Sequence, residues 1–502
     1  MKQYEMFELS LKGNPPEGSE ALAEVEAVFS CNGTDHRVKG FYDGGGTYKV
    51  RFLPEECGLY TWKVQGAAEG EGRDECVKGE SHGMVQAQGC HFRYKDGTRY
   101  TPFGTTVYAL AHQEEEIIEQ TMESMKNAPF NKVRHCVFPK SYEYNQNEPE
   151  YFAFEKDEEG KWDVNRPDYR FWAHLEKIIM ELGEMGIQSD LILFHPYDRW
   201  GFASMTMQEN EVYLRYALRR LSAFPYIWWS MANEYDLCFA KSLDDWARFE
   251  EIIKEEDPYG HLLSNHYCMK FYDYSRKNIT HCSMQNILFF KAEKWMKKYQ
   301  KPVIYDECCY EGNIHFAWGN ISAEEMVHRF WCAYCVGAFA THGETYLSPD
   351  DVLWWSKGGR LKGKSPAGIT FLKGIIDELP SAIEPWTEPE YLLFGPEFFD
   401  KIKDGENPFD KLHASLTETE DDAGALKDKV YSGHCGEEAF IKYYGIQCPA
   451  RSYIMLPEDH TYKVEVIDTR ERTRKTVLEG ATGICWLDLP EKEKMAVLAT
   501  TE

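Results

Sequence analysis

Between residues 84 and 385 a short apolar run followed by a helical pattern recurs until eight strand candidates have passed: "YTPFGTTVYAL", "NKVRHCVFPK", "QSDLILFHPYD", "YIWWSMANEYD", "HLLSNHY", "ITHCSMQ", "KPVIYDECC" and "GAFATHGETYL". Between them lie amphipathic segments such as "FWAHLEKIIMELGEMG" and "AEEMVHRFWCAYCVG". Strict alternation of this kind predicts a parallel sheet, and a count of eight favours a closed (β/α)8 barrel over an open sheet. The strands are nearly continuous in apolar residues, as strands covered on both faces should be.

In such a barrel the C-terminal strand ends form the active face. Every candidate strand ends there in polar or aromatic groups, those of the last seven including Arg134 and Lys140, His195 and Asp198, Asn233 and Glu234, Asn265 and His266, His281 and Gln285, Glu307, Glu344. Glu234 and Glu307 follow the fourth and seventh strands, whose ends face each other across a closed barrel. Paired carboxylates in that position suit glycosidic bond cleavage, one protonating the leaving oxygen while the other attacks or activates water. Adjacent strand residues point to opposite sides, so Asp306 is expected to face away from Glu307. Trp354 and Trp355 after the eighth strand offer a sugar-stacking face, with one expected to be core. His195 and His281 are candidates to meet sugar hydroxyls, and Tyr197, Asp198 and Trp200 form a further loop candidate.

"WWSMANEYD" resembles the Asn-Glu signature of the large clan of retaining (β/α)8 glycoside hydrolases (clan A), and "KPVIYDECCYEG" is similar to its seventh-strand pattern. "PFNKVRHCVFPK", "DLILFHPYDRWGF", "DECCYEG" and "HGETY" resemble the apiosidase-like glycoside hydrolases, whose barrel follows an N-terminal sandwich carrying "GFYDGGGTYKVRFLP". The resemblance implies Glu234 as acid/base and Glu307 as nucleophile, with Glu344 the competing nucleophile and otherwise a ligand for sugar hydroxyls. It implies that Asn233 binds the sugar 2-hydroxyl and that Arg134 holds Glu307 ionised while Glu234 has a raised pKa. The expected substrate-binding set is Arg134, His195, Asn233, His266, His281, Glu344, Trp354 and Trp355.

The flanks read differently. Residues 1–83 carry "EVEAVF", "YKVRFL" and "YTWKV" between turn signals, the pattern of an antiparallel β-sandwich, closed by a polar stretch "GAAEGEGRDECVKGE" that reads as loop or linker. Residues 386–424 read as an irregular acidic connection. From 425 to 502, "AFIKYYG", "SYIMLP", "TYKVEVID" and "GICWLDLP" predict a small second sandwich. The fold class is therefore α/β, a (β/α)8 barrel between two β-sandwiches.

Composition excludes several partners. A formal net charge of -27 over 502 residues is repelled by phosphate backbones and anionic lipid, so neither nucleic acid nor a membrane surface is an expected partner. The first twenty residues lack an apolar export segment, and no apolar stretch reaches membrane-spanning length, which makes a cytoplasmic location the expectation. Fifteen scattered cysteines fit a reducing compartment. Cys332 and Cys335 have C-x-x-C spacing but no second ligand pair, and they read as core; neither a metal motif nor a cofactor motif is evident. The expected activity is that of an exo-acting retaining glycosidase on a short oligosaccharide or glycoside. An endo-acting glucanase and a catalytically silent carbohydrate-binding barrel are the alternatives, and a homo-oligomer is left open.

Overall fold

The computed structural model describes residues 1–387, 412 and 414–502. All eight expected barrel strands are present: β1 (Gly104–Thr106), β2 (Lys132–Cys136), β3 (Gln188–Phe194), β4 (Ile227–Ala232), β5 (Leu263–Ser264), β6 (Cys282–Gln285), β7 (Val303–Glu307) and β8 (Phe339–His342). They form one sheet in the order β5-β4-β3-β2-β1-β8-β7-β6. The remaining seam is bridged by the Thr280 amide donating to the Leu263 carbonyl at 2.8 Å and by the Ser264 hydroxyl donating to the His281 carbonyl at 2.7 Å. Every residue of β3 and β4 is buried, which is why these strands are apolar without alternation.

The barrel interior is not wholly apolar. Lys132 Nζ lies 2.7 Å from both Asp190 and Asp306, and Asp306 also accepts from Ser283 (2.6 Å) and Thr341 (2.9 Å). Arg134 Nε lies 3.5 Å from Asp190. Below this charged layer Trp228 packs against Phe92 and Tyr100 of an N-terminal hairpin, with ring centroids 5.1 and 6.0 Å away, and closes the bottom of the barrel.

Asp306 departs from the expected alternation. Met284 pairs with Tyr305 but Gln285 pairs with Glu307, so Asp306 is the extra residue of a bulge. Asp306 thereby keeps the inward side while Glu307 also turns to the barrel mouth.

In the N-terminal sandwich, one sheet contains Phe7–Lys12, Thr47–Phe52 and Phe41–Tyr42, and the other Thr34–Lys39, Val25–Cys31, Gly58–Gly66 and Gly70–Cys76. Phe29 and Phe52 stack between them at 4.1 Å, each such buried ring contributing about 1.5–3 kcal/mol. Gly70–Cys76 falls in the stretch expected to be a linker. It is an edge strand paired with Gly58–Gly66, and its alternating exposure explains its polar sequence.

The sandwich is tied to the barrel by buried ions. Glu176 of the helix Tyr169–Glu184 receives Arg51 from the sandwich at 2.5 and 3.0 Å and Arg220 at 2.5 and 3.2 Å, while Arg220 also reaches Asp43 at 2.6 Å.

The C-terminal region has the four expected strands, at Ala439–Tyr443, Arg451–Leu456, Tyr462–Asp468 and Gly483–Asp488, and adds Tyr431–Cys435, Thr473–Ala481 and Met495–Thr501. Met495–Thr501 lies centrally, between Ala439–Tyr443 and Tyr462–Asp468. Residues 388–411 and 413 of the expected connecting segment lie outside the described residues. Its end is not irregular: Glu418–Asp428 is a helix begun by a reciprocal capping box of Thr417 and Glu420.

The chain divides into two compact units. One comprises Met1–Gln285, Lys301–Ile321 and Thr341–Gly363; the other comprises Asn286–Gln300, Ser322–Ala340 and Lys364–Glu502. The first contains the site described next.

Candidate active site

Five strand ends build the site. β4 delivers Asn233 and Glu234, β7 delivers Glu307, the segment after β1 delivers Tyr108, and the segments after β2 and β3 deliver Lys140 and Tyr197. Glu234 sits at φ 58°, ψ 58°, a left-handed conformation that costs a non-glycine residue about 1–3 kcal/mol and is retained where surroundings impose it. Its amide donates to His266 Nδ1 at 3.3 Å, and the next amide, of Tyr235, donates to the His266 carbonyl at 2.8 Å. This turn aims the Glu234 carboxylate at the pocket.

A tyrosine hydroxyl contacts each carboxylate. Tyr108 Oη donates to Glu307 Oε1 and stands 2.9 Å from Asn233 Oδ1; Tyr197 Oη donates to Glu234 Oε2. Lys140 Nζ lies over both tyrosine rings, 3.5 Å from the Tyr108 centroid and 4.3 Å from that of Tyr197, with Tyr142 and Trp355 at 5.0 and 5.8 Å. A buried ammonium over aromatic faces is stabilised by their quadrupoles. Trp355, Tyr144 and Tyr310 continue this wall with Leu353 and Ile192.

Electrostatics link the two carboxylates. Burial first, and then the charge of Glu234, push the Glu307 carboxyl up to about 7, against the opposing pulls of Arg134, the Tyr108 hydroxyl and Lys140. Arg134 pulls the Glu307 carboxyl down, in the expected direction, but burial and the Glu234 charge outweigh it in the free protein. Arg134 is fully buried and acts on Glu307 as a charge beneath it, while its guanidinium nitrogens have no hydrogen-bond partner among the described residues. The Glu307 carboxyl therefore keeps its proton well above the usual carboxylate range and gives it up near neutral pH.

The whole arrangement agrees with what the chain resembles. Residues 86–387 match the family described as "Apiosidase-like, catalytic domain". The chain belongs to this apiosidase-like family. Residues 1–67 and 428–500 match two domain families of unknown function, DUF5060 and DUF5605. A Bacteroides vulgatus protein described as "a putative glycoside hydrolase" is 32% identical over 100% of this chain and 99% of its own, with a TM-score of 0.87. A glycoside hydrolase family 5 protein from the same organism shares the fold at 13% identity over 84% of this chain and 94% of its own, TM-score 0.59. No curated protein matches. The apiosidase-like chain is accordingly a glycoside hydrolase.

The other expected site residues of the apiosidase-like enzyme divide by position. Asn233 meets the Tyr108 hydroxyl and His266 the Glu234 amide, whereas Trp355 lies in the aromatic wall 5.8 Å from Lys140 Nζ. Trp354 is in the core, its indole N–H donating to Thr105 Oγ1 at 2.8 Å. His195 turns Nε2 to the Phe138 carbonyl at 3.1 Å. His281 lies near the barrel bottom, with Trp228 and Phe92 at 5.4 and 5.9 Å. Glu344 is aimed elsewhere: its oxygens accept the Lys362 amide at 2.5 Å and the Gly363 amide at 2.7 Å, beside Glu311. Burial pushes its carboxyl up to about 7, and Glu311 adds to this against those two amides. Sequence reading missed Tyr108 and Tyr310. Tyr108 is two residues beyond β1, where the strand-end rule applied to the other seven strands finds it.

Proposed function

We propose that the enzyme is a retaining, exo-acting glycosidase of short oligosaccharides or simple glycosides, its catalytic segment spanning residues 84–385. The single observation that carries the reading is the pair of buried Glu234 and half-buried Glu307, electrostatically coupled and each accepting a tyrosine hydroxyl. Glu307 is the nucleophile. Bond formation to the anomeric carbon consumes its charge, and the Tyr108 hydroxyl and the Arg134 charge favour the ionised form that must attack. Glu234 is the acid/base: it gives its proton to the leaving oxygen, and in the second step takes one from water. With one proton on the pair, the reactive arrangement is the one that places it on Glu234. Asn233 binds the sugar 2-hydroxyl, and Trp355 with Tyr142 forms the wall against which the ring is held.

Trp354 and Trp355 are 1% and 6% exposed, which supports a closed pocket over the open, tryptophan-lined cleft that an endo-acting glucanase needs. Among the described residues no helix is long and apolar enough to cross a membrane. None of the fifteen cysteines is in a disulfide, which supports a reducing, cytoplasmic setting.

The test is a screen of aryl glycosides, β-D-apioside and α-L-arabinofuranoside included, on wild type, E234Q and E307Q, with the anomer of the first-formed product read by proton NMR. Retention, together with loss of turnover in both variants, is expected. Variants that match wild type would sink the assignment of the pair; an inverted product would sink the double displacement; internal cleavage of long chains would sink exo action.

A further inference from the structure

Within the second compact unit, the C-terminal sandwich and the helix Ala323–Tyr334 enclose a pocket of about 350 Å³ whose wall includes Ala323, Glu324, His328, Arg472 and Lys494. None of these residues belongs to the catalytic pocket.

Lys494 is the residue that asks for a ligand. It is 6% exposed, and its ammonium makes no hydrogen bond or ion pair among the described residues. With 83 acidic residues against 56 basic ones, a buried lysine without an acid beside it is unusual for this chain. Arg474, on the strand Thr473–Ala481, shows the ordinary case, reaching Glu378 at 2.6 Å and Glu465 at 2.7 Å. A buried ammonium is stable only where acceptors or a counter-charge replace its water. The backbone that presents it is fixed, for the Lys494 amide donates to the Gly445 carbonyl at 2.7 Å and its carbonyl accepts the Thr469 hydroxyl at 2.8 Å. Its charge reaches the facing wall. Burial first, and then Lys494, push the His328 imidazole down to about 4, so this ring, whose Nδ1 is 2.8 Å from the Tyr443 hydroxyl, is neutral and offers no negative partner.

The rest of the wall also suits negative charge. Arg472 lies in the turn between Tyr462–Asp468 and Thr473–Ala481 at φ 55°, exposed, and its guanidinium has no ion pair among the described residues. Ser322 caps the Glu325 amide at 3.1 Å; the amides of Ala323 and Glu324, which an α-helix cannot pair internally, stand at the positive end of a 12-residue helix. Two acids border the pocket: Glu324 is held by Arg470 Nε at 2.5 Å, and Glu471 is exposed.

We propose that this pocket binds a phosphate group, with Lys494 as its buried counter-charge, Arg472 at the rim, and the first-turn amides of the helix Ala323–Tyr334 completing the shell. A tetrahedral dianion meets donors arriving from three sides, whereas a carboxylate is planar and carries half the charge. Free phosphate and a sugar phosphate present the same group, and the test separates them.

The full-length chain is titrated with sodium phosphate by calorimetry at low ionic strength and neutral pH, and Tm is read with and without the ion. Saturable binding of one equivalent per chain, with a Kd of about 10–500 µM, and a Tm rise of roughly 2–6 °C at about 5 mM phosphate are expected. K494M keeps the aliphatic stem and removes the charge, and should weaken binding at least about tenfold. Its Tm without phosphate should equal or exceed that of wild type, because an uncompensated buried ammonium has gone. R472N, whose side chain tolerates the left-handed backbone, should weaken binding about threefold or more and serves should K494M fail to fold. K475Q removes an exposed cation outside the pocket and should bind as wild type does. A hexose 6-phosphate titrated in the same way identifies the source: tighter binding than phosphate marks a sugar phosphate, equal or weaker binding the free ion. No saturable binding by wild type below about 5 mM phosphate, unchanged affinity in K494M or R472N, or a loss in K475Q equal to theirs would each overturn the proposal.

Discussion

Two pairs of glutamates stand at one rim of the barrel, all buried except the half-buried Glu307, and they are held by different kinds of group. Glu234 and Glu307 accept hydroxyls from side chains, Tyr197 and Tyr108, under a buried lysine. Glu344 is fixed by two main-chain amides, and Glu311 by Tyr346. Burial raises one member of each pair to about 7. A raised pKa therefore does not by itself distinguish a reacting carboxylate from a structural one. The surroundings do: a hydroxyl on a rotatable side chain can follow a carboxylate whose charge changes during a reaction, whereas amides of the main chain hold an oxygen in one place.

The largest effect that could break this comparison is on turnover. E234Q and E307Q should each lower kcat/KM by about 10³-fold or more on an unactivated glycoside, as loss of an acid/base or a nucleophile does. E344Q should stay within about 10-fold of wild type, since both Glu344 oxygens are taken by main-chain amides. Equal losses in E307Q and E344Q, measured on the same substrate, would remove the distinction.

Next in size is Tyr108. Y108F deletes the donor to Glu307, and kcat should fall about 10- to 100-fold, the range expected for one preorganised hydrogen bond to developing or vanishing charge. The pH dependence sharpens this further. The reactive state needs one proton on the pair, so kcat/KM should fall as pH rises through about 7. Removing a hydroxyl that favours ionised Glu307 raises its pKa, so the alkaline limb of Y108F should move up. An unmoved limb would mean that Tyr108 only packs.

The smallest effect belongs to the matching tyrosine. Y346F should leave kcat/KM within about threefold and lower stability by about 1 kcal/mol, the net value of a single hydrogen bond, as read by urea unfolding.

Much of this was legible in the sequence. The barrel strands announce themselves because burial on both faces demands unbroken apolar runs, and a strand end that turns polar marks the mouth. The same rule cannot say which way a side chain turns when a bulge intervenes, and so Asp306 was expected on the wrong side. Gly70–Cys76 was expected to be a linker because an edge strand exposed on one face has few apolar residues. Met495–Thr501, in "EKMAVLATTE", went unread because a central strand offers no alternation. His281 and Glu344 obey the strand-end pattern, yet one lies at the start of its strand near the barrel bottom and the other is captured by amides 18 and 19 residues later in the chain. Such long-range partners leave no local signal.

The ions that join the first sandwich to the barrel bear on how this protein can be handled. Cutting the chain near residue 83 removes Arg51 and Asp43, leaving Glu176 and Arg220 as a lone pair on a newly opened apolar face. The N-terminal module is therefore part of the barrel's own wall, and a shortened version of the enzyme should begin before it rather than after it.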